Sequence, residues 1–426
     1  MTLSPPRASS YCRILGLIAA SIVLPNPSAG AQDILPRATP ESVGVSTERL
    51  QRIHEAVQRQ IDDHKISGAV TLVARRGFVV HLEAHGVRNV ETKAPMTVDT
   101  IFKMASCSKP VTAVAVLMLV EEGKIRLNDP VSRFIPEFRD MKVAVAKEGS
   151  TEIELVKADR EITVRDLLTH TSGLLTGGPG MKTPKGGDYW PKAEDTLATA
   201  APRFAQFPLD FQPGTKWNYS PIAGIDTLAR IVEVASGQTF DLFVRTHLFE
   251  PLGMKDTAFV VPDSRKDRMA TVYRKTDKGL EPNPNDLVFA RSYPSGAAGL
   301  YSTAADYFRF GQMLLNGGRS DGGQVLCPRS VALMSTNEVG DLFHNVIGRG
   351  EGMGFGFAVE IVQDPIAIGT YRSAGSFGWD GAFGTHFFVD PQEQLVAVLL
   401  IQTSNGRAMH PDFETAVMQS LVETER

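Results

Sequence analysis

Apolar positions first recur with helical spacing between Ser46 and Asp63, where Leu50, Ile53, Ala56, Val57 and Ile61 share a face. Ser46 can cap that helix, and Val45 before it can staple against Leu50. The period then changes. Gly68 to Ala74 and Phe78 to Ala84 are β-rich runs separated by Arg75-Arg76-Gly77, which predicts a hairpin with a glycine in its turn. Thr97 to Phe102 reads as an extended entry to the next element. From Val111 to Leu119 nearly every position is apolar, so the helix expected from Pro110 to Glu122 is buried on all sides. Pro110 lacks an N–H and is tolerated only in a first turn, which puts the helix start at about Ser106, and Gly123 offers a left-handed stop.

Further along, Met141 to Ile162 reads as a charged, β-rich surface insertion, and Thr163 to Leu168 begins a short helix. Gly173 to Gly187 is dominated by glycine, proline, threonine and lysine, and is expected to be a long loop, either a lid or an insertion. Helices are expected from Ile222 to Ser236, stopped by Gly237, from Thr239 to Leu248 and from Tyr307 to Leu315. A second hairpin, Ala382 to Val389 and Gln394 to Gln402, follows, and a helix from Pro411 to Val422 closes the chain. Two hairpins too small to stand alone, one near each end, predict a single antiparallel sheet covered by helices. The class is therefore α+β, with a sheet domain made of 32–110 and 291–426 and a mostly helical lobe, 111–290, inserted between them. A cleft between lobe and sheet is the expected place for a site.

Composition adds mainly exclusions. A net charge of -4, with 42% hydrophobic and 22% charged residues, is ordinary for a globular chain and supplies no basic stripe for nucleic acid. Residues 1–31 stand apart: Arg7 and Arg13 precede an apolar run from Ile14 to Leu24, followed by Pro25, Pro27 and Ala29-Gly30-Ala31. This pattern predicts a secretory signal cleaved after Ala31, export to the periplasm or beyond, and no stable membrane anchor. Removal of Cys12 with that segment leaves Cys107 and Cys327, both expected to be free. The nine histidines are read as forming no cluster of ligand spacing, so no metal is expected.

The candidate chemistry sits at the start of the buried helix. Ser106-Cys107-Ser108-Lys109 places a hydroxyl and an amine three residues apart, hence on one face, beside the free N–H groups and positive dipole end of a helix start. A serine beside an amine is an activated nucleophile. Gly318-Arg319-Ser320-Asp321-Gly322 fits the lipase elbow pattern but follows a helix instead of joining strand to helix, so it is set aside. His170 is read as a structural anchor of its turn.

Ser106 to Pro110, Leu167-Leu168-Thr169-His170-Thr171-Ser172-Gly173-Leu174, Pro213-Gly214 with Tyr219-Ser220, Pro251-Leu252-Gly253-Met254 and Gly375 to Thr385 together resemble the class C β-lactamase-like serine hydrolases, most nearly their family VIII carboxylesterases. The resemblance covers nearly all of the chain after Ala31. It implies the β-lactamase/transpeptidase-like fold, Ser106 as nucleophile, Lys109 as its neighbouring base and Tyr219 as the second base. It also implies an oxyanion hole from the backbone N–H groups of Ser106 and Ala382, no cofactor, and a small ester, short-chain by family habit, as substrate. Two departures bear on substrate. Pro221 stands where many relatives have asparagine, and Trp379-Asp380-Gly381 stands where lactamases carry Lys-Thr-Gly. Loss of that lysine, together with an Asp380 charge expected near the mouth, turns the reading away from anionic lactams. Trp379, Asp380, Gly381 and Trp217 are the expected substrate-binding residues, with a hydrophobic plug as the other reading of Trp379. The alternatives are a β-lactamase, a D-stereospecific amidase or peptidase, an acyltransferase, and an inactive protein that binds peptidoglycan fragments. Oligomeric state is left open by the sequence.

Overall fold

In the computed structural model the described residues are 1, 2, 4, 35–147, 152–183, 189–284, 286, 289–346, 348, 350–404 and 406–423. The chain divides into two units, Met1–Ile34 and Leu35–Arg426. All secondary structure among the described residues belongs to the second. The expected signal segment falls in the first and, apart from residues 1, 2 and 4, lies outside the described residues. The expected sheet domain and inserted lobe both fall within the second unit.

Helix α1 (Thr47–Asp62) starts where Ser46 Oγ accepts from the Arg49 N–H at 3.3 Å, and it buries Leu50, Ile53, Ala56 and Val57. The hairpin follows as β1 (Gly68–Arg75) and β2 (Phe78–Asn89). β2 runs five residues beyond the predicted end at Ala84, because the left-handed Gly86 (φ 68°) does not interrupt it. Its last residues pair with a short edge strand, β3 (Ala94–Pro95). Helix α2 (Ser108–Glu121) is buried from Ser108 through Leu119 and stops before Gly123 at φ 71°. A single 3₁₀ turn, Ala105–Cys107, precedes it, so the serine sits one turn outside the regular helix.

The middle of the chain contains the predicted helices together with two hairpins. One is the expected excursion, β4 (Lys142–Ala146) with β5 (Ile153–Lys157); the other, β6 (Tyr273–Thr276) with β7 (Gly279–Pro282), has no counterpart in the reading along the chain. Helix α3 (Val164–Leu168) has a reciprocal capping box between Thr163 and Asp166. Helix α4 (Ala223–Ser236) ends at Gly237, and α5 (Ala304–Leu315) begins three residues earlier than predicted because Thr303 caps it, accepting from Asp306 N.

The C-terminal part supplies β8 (Met353–Phe355), β9 (Glu360–Val362), β10 (Phe377–Asp380), β11 (His386–Asp390) and β12 (Leu395–Ile401), then α6 (His410–Met418). One eight-stranded antiparallel sheet results, in the order β8-β9-β10-β11-β12-β1-β2-β3. The two predicted hairpins thus meet directly, with Leu72 of β1 opposite Val398 of β12. β12 is buried at all seven positions because both faces are covered. Leu395, Ala397, Leu399 and Ile401 pack with α1 and α6, while Val396, Val398 and Leu400 join the larger core that contains α2, α4 and α5.

Candidate active site

Across Ile101 to Leu119 every residue is buried except Ser106. The turn that presents it is strained and fastened from several sides. Ala105 holds φ 46°, a conformation costly for a residue with a Cβ. Ser108 Oγ donates to Ala105 O at 2.7 Å, Thr385 Oγ1 to Met104 O at 2.9 Å, and Tyr307 Oη to Cys107 O at 2.6 Å. Cys107 points inward, its Sγ 3.7 Å from Trp379 O and 3.8 Å from Thr385 O, and burial pushes its thiol up to about 12. It is a packing residue, in keeping with the expectation, and Cys327 is also free.

Lys109 and Tyr219 both reach Ser106. Tyr219 Oη donates to Ser106 Oγ at 2.7 Å, and Lys109 Nζ lies 3.2 Å from the same oxygen. Lys109 Nζ also donates to Pro221 O at 2.7 Å and to Ala297 O at 2.9 Å. Two of its three substituent directions are therefore fixed by backbone carbonyls, and the third faces the serine. In that third direction the nitrogen donates to Ser106 when protonated and presents its lone pair when neutral. Pro221, one of the two expected departures, thus meets Lys109 through its backbone carbonyl.

Behind the lysine stands a residue that reading along the chain did not single out. Asp226 of α4 is fully buried and accepts from Tyr293 Oη at 2.7 Å, Ser295 Oγ at 3.0 Å and Ala297 N at 2.9 Å. It thereby fixes the segment whose Ala297 carbonyl receives Lys109. Burial raises its carboxyl to about 6, although those three donors and the nearby Lys109 charge pull the other way. The available signal was a lone carboxylate in the apolar run Ala223-Gly224-Ile225-Asp226-Thr227-Leu228.

The third segment closes the site. A Cβ on Gly381 would lie 2.5 Å from Met104 O and would collide with Thr385 Oγ1, so only glycine lets this turn rest against the residue two before Ser106. Ala382, next in the turn, is exposed, and Gly381 N donates to Thr385 O at 2.7 Å. Trp379 is 1% exposed, with its ring 5.8 Å from that of Tyr219 and 5.4 Å from that of Phe355. Trp217 is 4% exposed and stacks on Tyr219 at 6.4 Å, beside Phe343 and Phe355. Both tryptophans, expected to bind substrate, thus belong to a buried aromatic wall behind Tyr219, and neither is open to solvent.

Asp380 departs from its expected place. Side chains alternate along β10, so with Trp379 facing Tyr219 and Ser106, Asp380 faces the other side of the sheet. There its carboxylate pairs with Arg407 and lies 3.8 Å from His410, lining a cavity of about 430 Å³ with Arg372, His386 and Glu414. It lends no charge to the mouth of the site.

His170 is the anchor it was taken for. Its Nδ1 accepts from Ser220 N at 3.3 Å, its carbonyl receives Asn218 N at 3.1 Å, and burial holds the imidazole neutral. Ser320 lies in a two-residue strand of a tight hairpin, far from an elbow geometry. The loop after Gly173 is tethered in its first part, where Asp210 accepts from Thr176 N, Thr176 Oγ1 and Gly180 N at 2.7–2.8 Å. Residues 184–187 of that loop lie outside the described residues.

Known proteins share this fold. The family model described as Beta-lactamase matches residues 53–418. A Mycobacterium tuberculosis protein is 35% identical over 370 residues, covering 82% of this chain and 88% of its own length. Esterase EstB of Burkholderia gladioli is 33% identical over 377 residues, covering 83% of this chain and 90% of EstB. Among solved structures, EstCE1, described as a hydrolase with promiscuous acyltransferase activity, superposes with a TM-score of 0.73 at 29% identity, covering 88% of this chain and 99% of EstCE1.

Proposed function

This chain belongs to the beta-lactamase family of serine hydrolases, and from that premise we propose that it cleaves carboxylic esters through an acyl-enzyme on Ser106. The observation that carries the reading is the convergence of Tyr219 Oη and Lys109 Nζ on one serine oxygen, at 2.7 and 3.2 Å. Ser106 Oγ attacks the ester carbonyl while the Tyr219–Lys109 pair takes its proton. The tetrahedral oxyanion is received by the backbone N–H groups of Ser106 and Ala382, at the positive end of α2. Tyr219 returns the proton to the departing alcohol, and water, activated by the same pair, releases the acid.

Esters are favoured over lactams by chemistry at two positions. Buried Trp379 stands where a lactamase lysine would hold a carboxylate, so that position supplies no cation for an anionic substrate, and Pro221 supplies a carbonyl where an amide would orient an acylamide. Tyr219, half-buried and backed by the buried rings of Trp217 and Trp379, gives the site an apolar side that suits a short uncharged acyl or alcohol group. The charged, apolar and small-residue pattern of residues 1–31 supports export of the enzyme.

The test is a p-nitrophenyl ester series of increasing chain length run beside a chromogenic cephalosporin, with Ser106→Ala and an organophosphonate as controls. Faster turnover of short esters, loss of activity in Ser106→Ala, and a single phosphonate adduct on the wild type are expected. Faster cephalosporin turnover would replace the esterase reading with a lactamase one. Absence of any adduct would favour an inactive binding protein. Added alcohols that outcompete water for the acyl group would move the assignment to acyl transfer, the activity in the description of EstCE1.

A further inference from the structure

On the sheet face opposite the nucleophile, three imidazoles gather around one carboxylate. Alternate side chains of a strand share a face, so His81, Glu83 and His85 of β2 stand in a row. Their partners across β1 are Val73, Thr71 and Ala69, of which Val73 and Ala69 pack in the core beneath α1. His54 of α1 closes over the row, its Nδ1 2.7 Å from Glu83 Oε1. From the other side His85 Nε2 lies 3.8 Å from Glu83 Oε2. The His54 and His85 rings are 5.2 Å apart, and one ligand atom from each of His54, Glu83 and His85 lies within 4.8 Å of the other two.

We propose that His54, Glu83 and His85 bind a divalent transition-metal ion, with zinc the expected occupant, and that the ion clamps α1 to β2. Two imidazole nitrogens and a carboxylate are a zinc-class donor set, with metal–ligand distances of about 2.0–2.2 Å. Two ligands at that distance and a tetrahedral angle stand roughly 3.4 Å apart, a value between the observed 2.7 and 3.8 Å. Rotation of His54 and Glu83, whose side chains are 52% and 38% exposed, brings the three atoms onto one center, while His85 at 1% is the fixed member. The exposed side gives the ion a way in and leaves a fourth position for water.

Thr71 provides the supporting contact. Its Oγ1 is 2.8 Å from His81 Nε2 and 3.3 Å from His85 Nε2, so with the His85 lone pair on the ion, the hydroxyl keeps His81 as its partner. An ion pair between His54 and Glu83 alone uses neither His85 nor its placement, and exposed pairs of that kind contribute little. The expectation of no metal came from spacing along the chain. His81 and His85 form a His-x-x-x-His pair that this expectation passed over, and strand β2 sets both on one face.

The experiment uses the full chain without a histidine tag, stripped with chelator and desalted. Zinc is titrated by calorimetry, and cobalt(II) by its visible d–d absorption. One equivalent bound, a melting temperature that rises with zinc concentration, and at least ~10-fold weaker binding in His85→Ala and Glu83→Gln are expected. Because His85 is buried, His54→Ala on the exposed helix face is the second variant, with an unchanged circular dichroism spectrum and the same loss of affinity. The proposal is overturned by absence of saturable binding in the wild type, or by His54→Ala and Glu83→Gln binding zinc as tightly as wild type.

Discussion

Asp226→Asn and Asp226→Ala separate the charge of this buried carboxylate from its role in holding the lysine acceptor. Its folded-state value of about 6 lies above the ordinary 3.8, so the folded protein binds this proton more tightly than the unfolded chain. The sign follows: its contribution is most favourable below pH 4 and declines as pH rises toward 6. At roughly 1.36 kcal/mol per pH unit the decline amounts to about 3 kcal/mol. Asparagine cannot titrate, so the difference in unfolding free energy between wild type and Asp226→Asn should shift by about 3 kcal/mol across that window, with wild type relatively more stable at the acid end. Its amide oxygen can still accept from Ala297 N, and the Tyr293 and Ser295 hydroxyls can reverse toward its NH₂, so turnover should stay within a few-fold of wild type. Alanine instead leaves three buried donors unmet, at about 1–3 kcal/mol each, and frees the 295–297 segment. Its kcat should fall at least ~10-fold as Lys109 loses its fixed carbonyl. Urea unfolding monitored by tryptophan fluorescence from pH 4 to 7.5, with p-nitrophenyl ester turnover on the same samples, measures both effects. An Asp226→Asn protein with the wild-type pH slope, or an Asp226→Ala protein with wild-type stability and kcat, would refute the reasoning.

Tyr219→Phe removes the 2.7 Å hydrogen bond to Ser106 while keeping the ring in its aromatic wall, so kcat/KM on esters should drop by about 10²–10⁴ with little change in melting temperature. Gly381→Ala drives a Cβ into Met104 O and Thr385 Oγ1; a lower melting temperature together with lost ester turnover is expected, and a variant normal in both would contradict the close packing of that turn. Burial alone would raise Glu414, but Arg372, His386 and His410 draw it down to about 2. Its stabilisation is therefore present above its ordinary 4.5 and lost as pH falls from there toward 2. Glu414→Gln should flatten that acid limb in a thermal-melt series. Arg75→Met removes the 2.8 Å partner of Glu393, 4% exposed, and should lower stability by about 3 kcal/mol in urea unfolding.

What was legible along the chain was local. Ser46, Gly123 and Gly237 marked helix ends through their own chemistry, and Pro110 fixed the serine turn to within two residues. Tyr219 came from family resemblance, since 113 residues separate it from Ser106. The Asp226 contacts escaped because they join α4 to residues 67–71 positions later, and no spacing rule reaches that far. Asp380 was different: strand alternation alone places it opposite Trp379, so its orientation was available and was outweighed by attention to motif order. β2 shows the converse, where a glycine that looks like an endpoint lies within a continuous strand.

The pairing of β1 with β12 has a consequence for the order in which the enzyme forms. A ribosome delivers Ser106 and Lys109 early, but β1 acquires its β12 neighbour only after residue 401 is made, and the turn that packs on Met104 comes from residues 381–385. Contacts of such separation carry a large loop-closure cost and form late. The nascent chain therefore carries Ser106 and Lys109 through most of its synthesis before the segments that enclose them exist, and the assembled site arrives as one of the last events of folding.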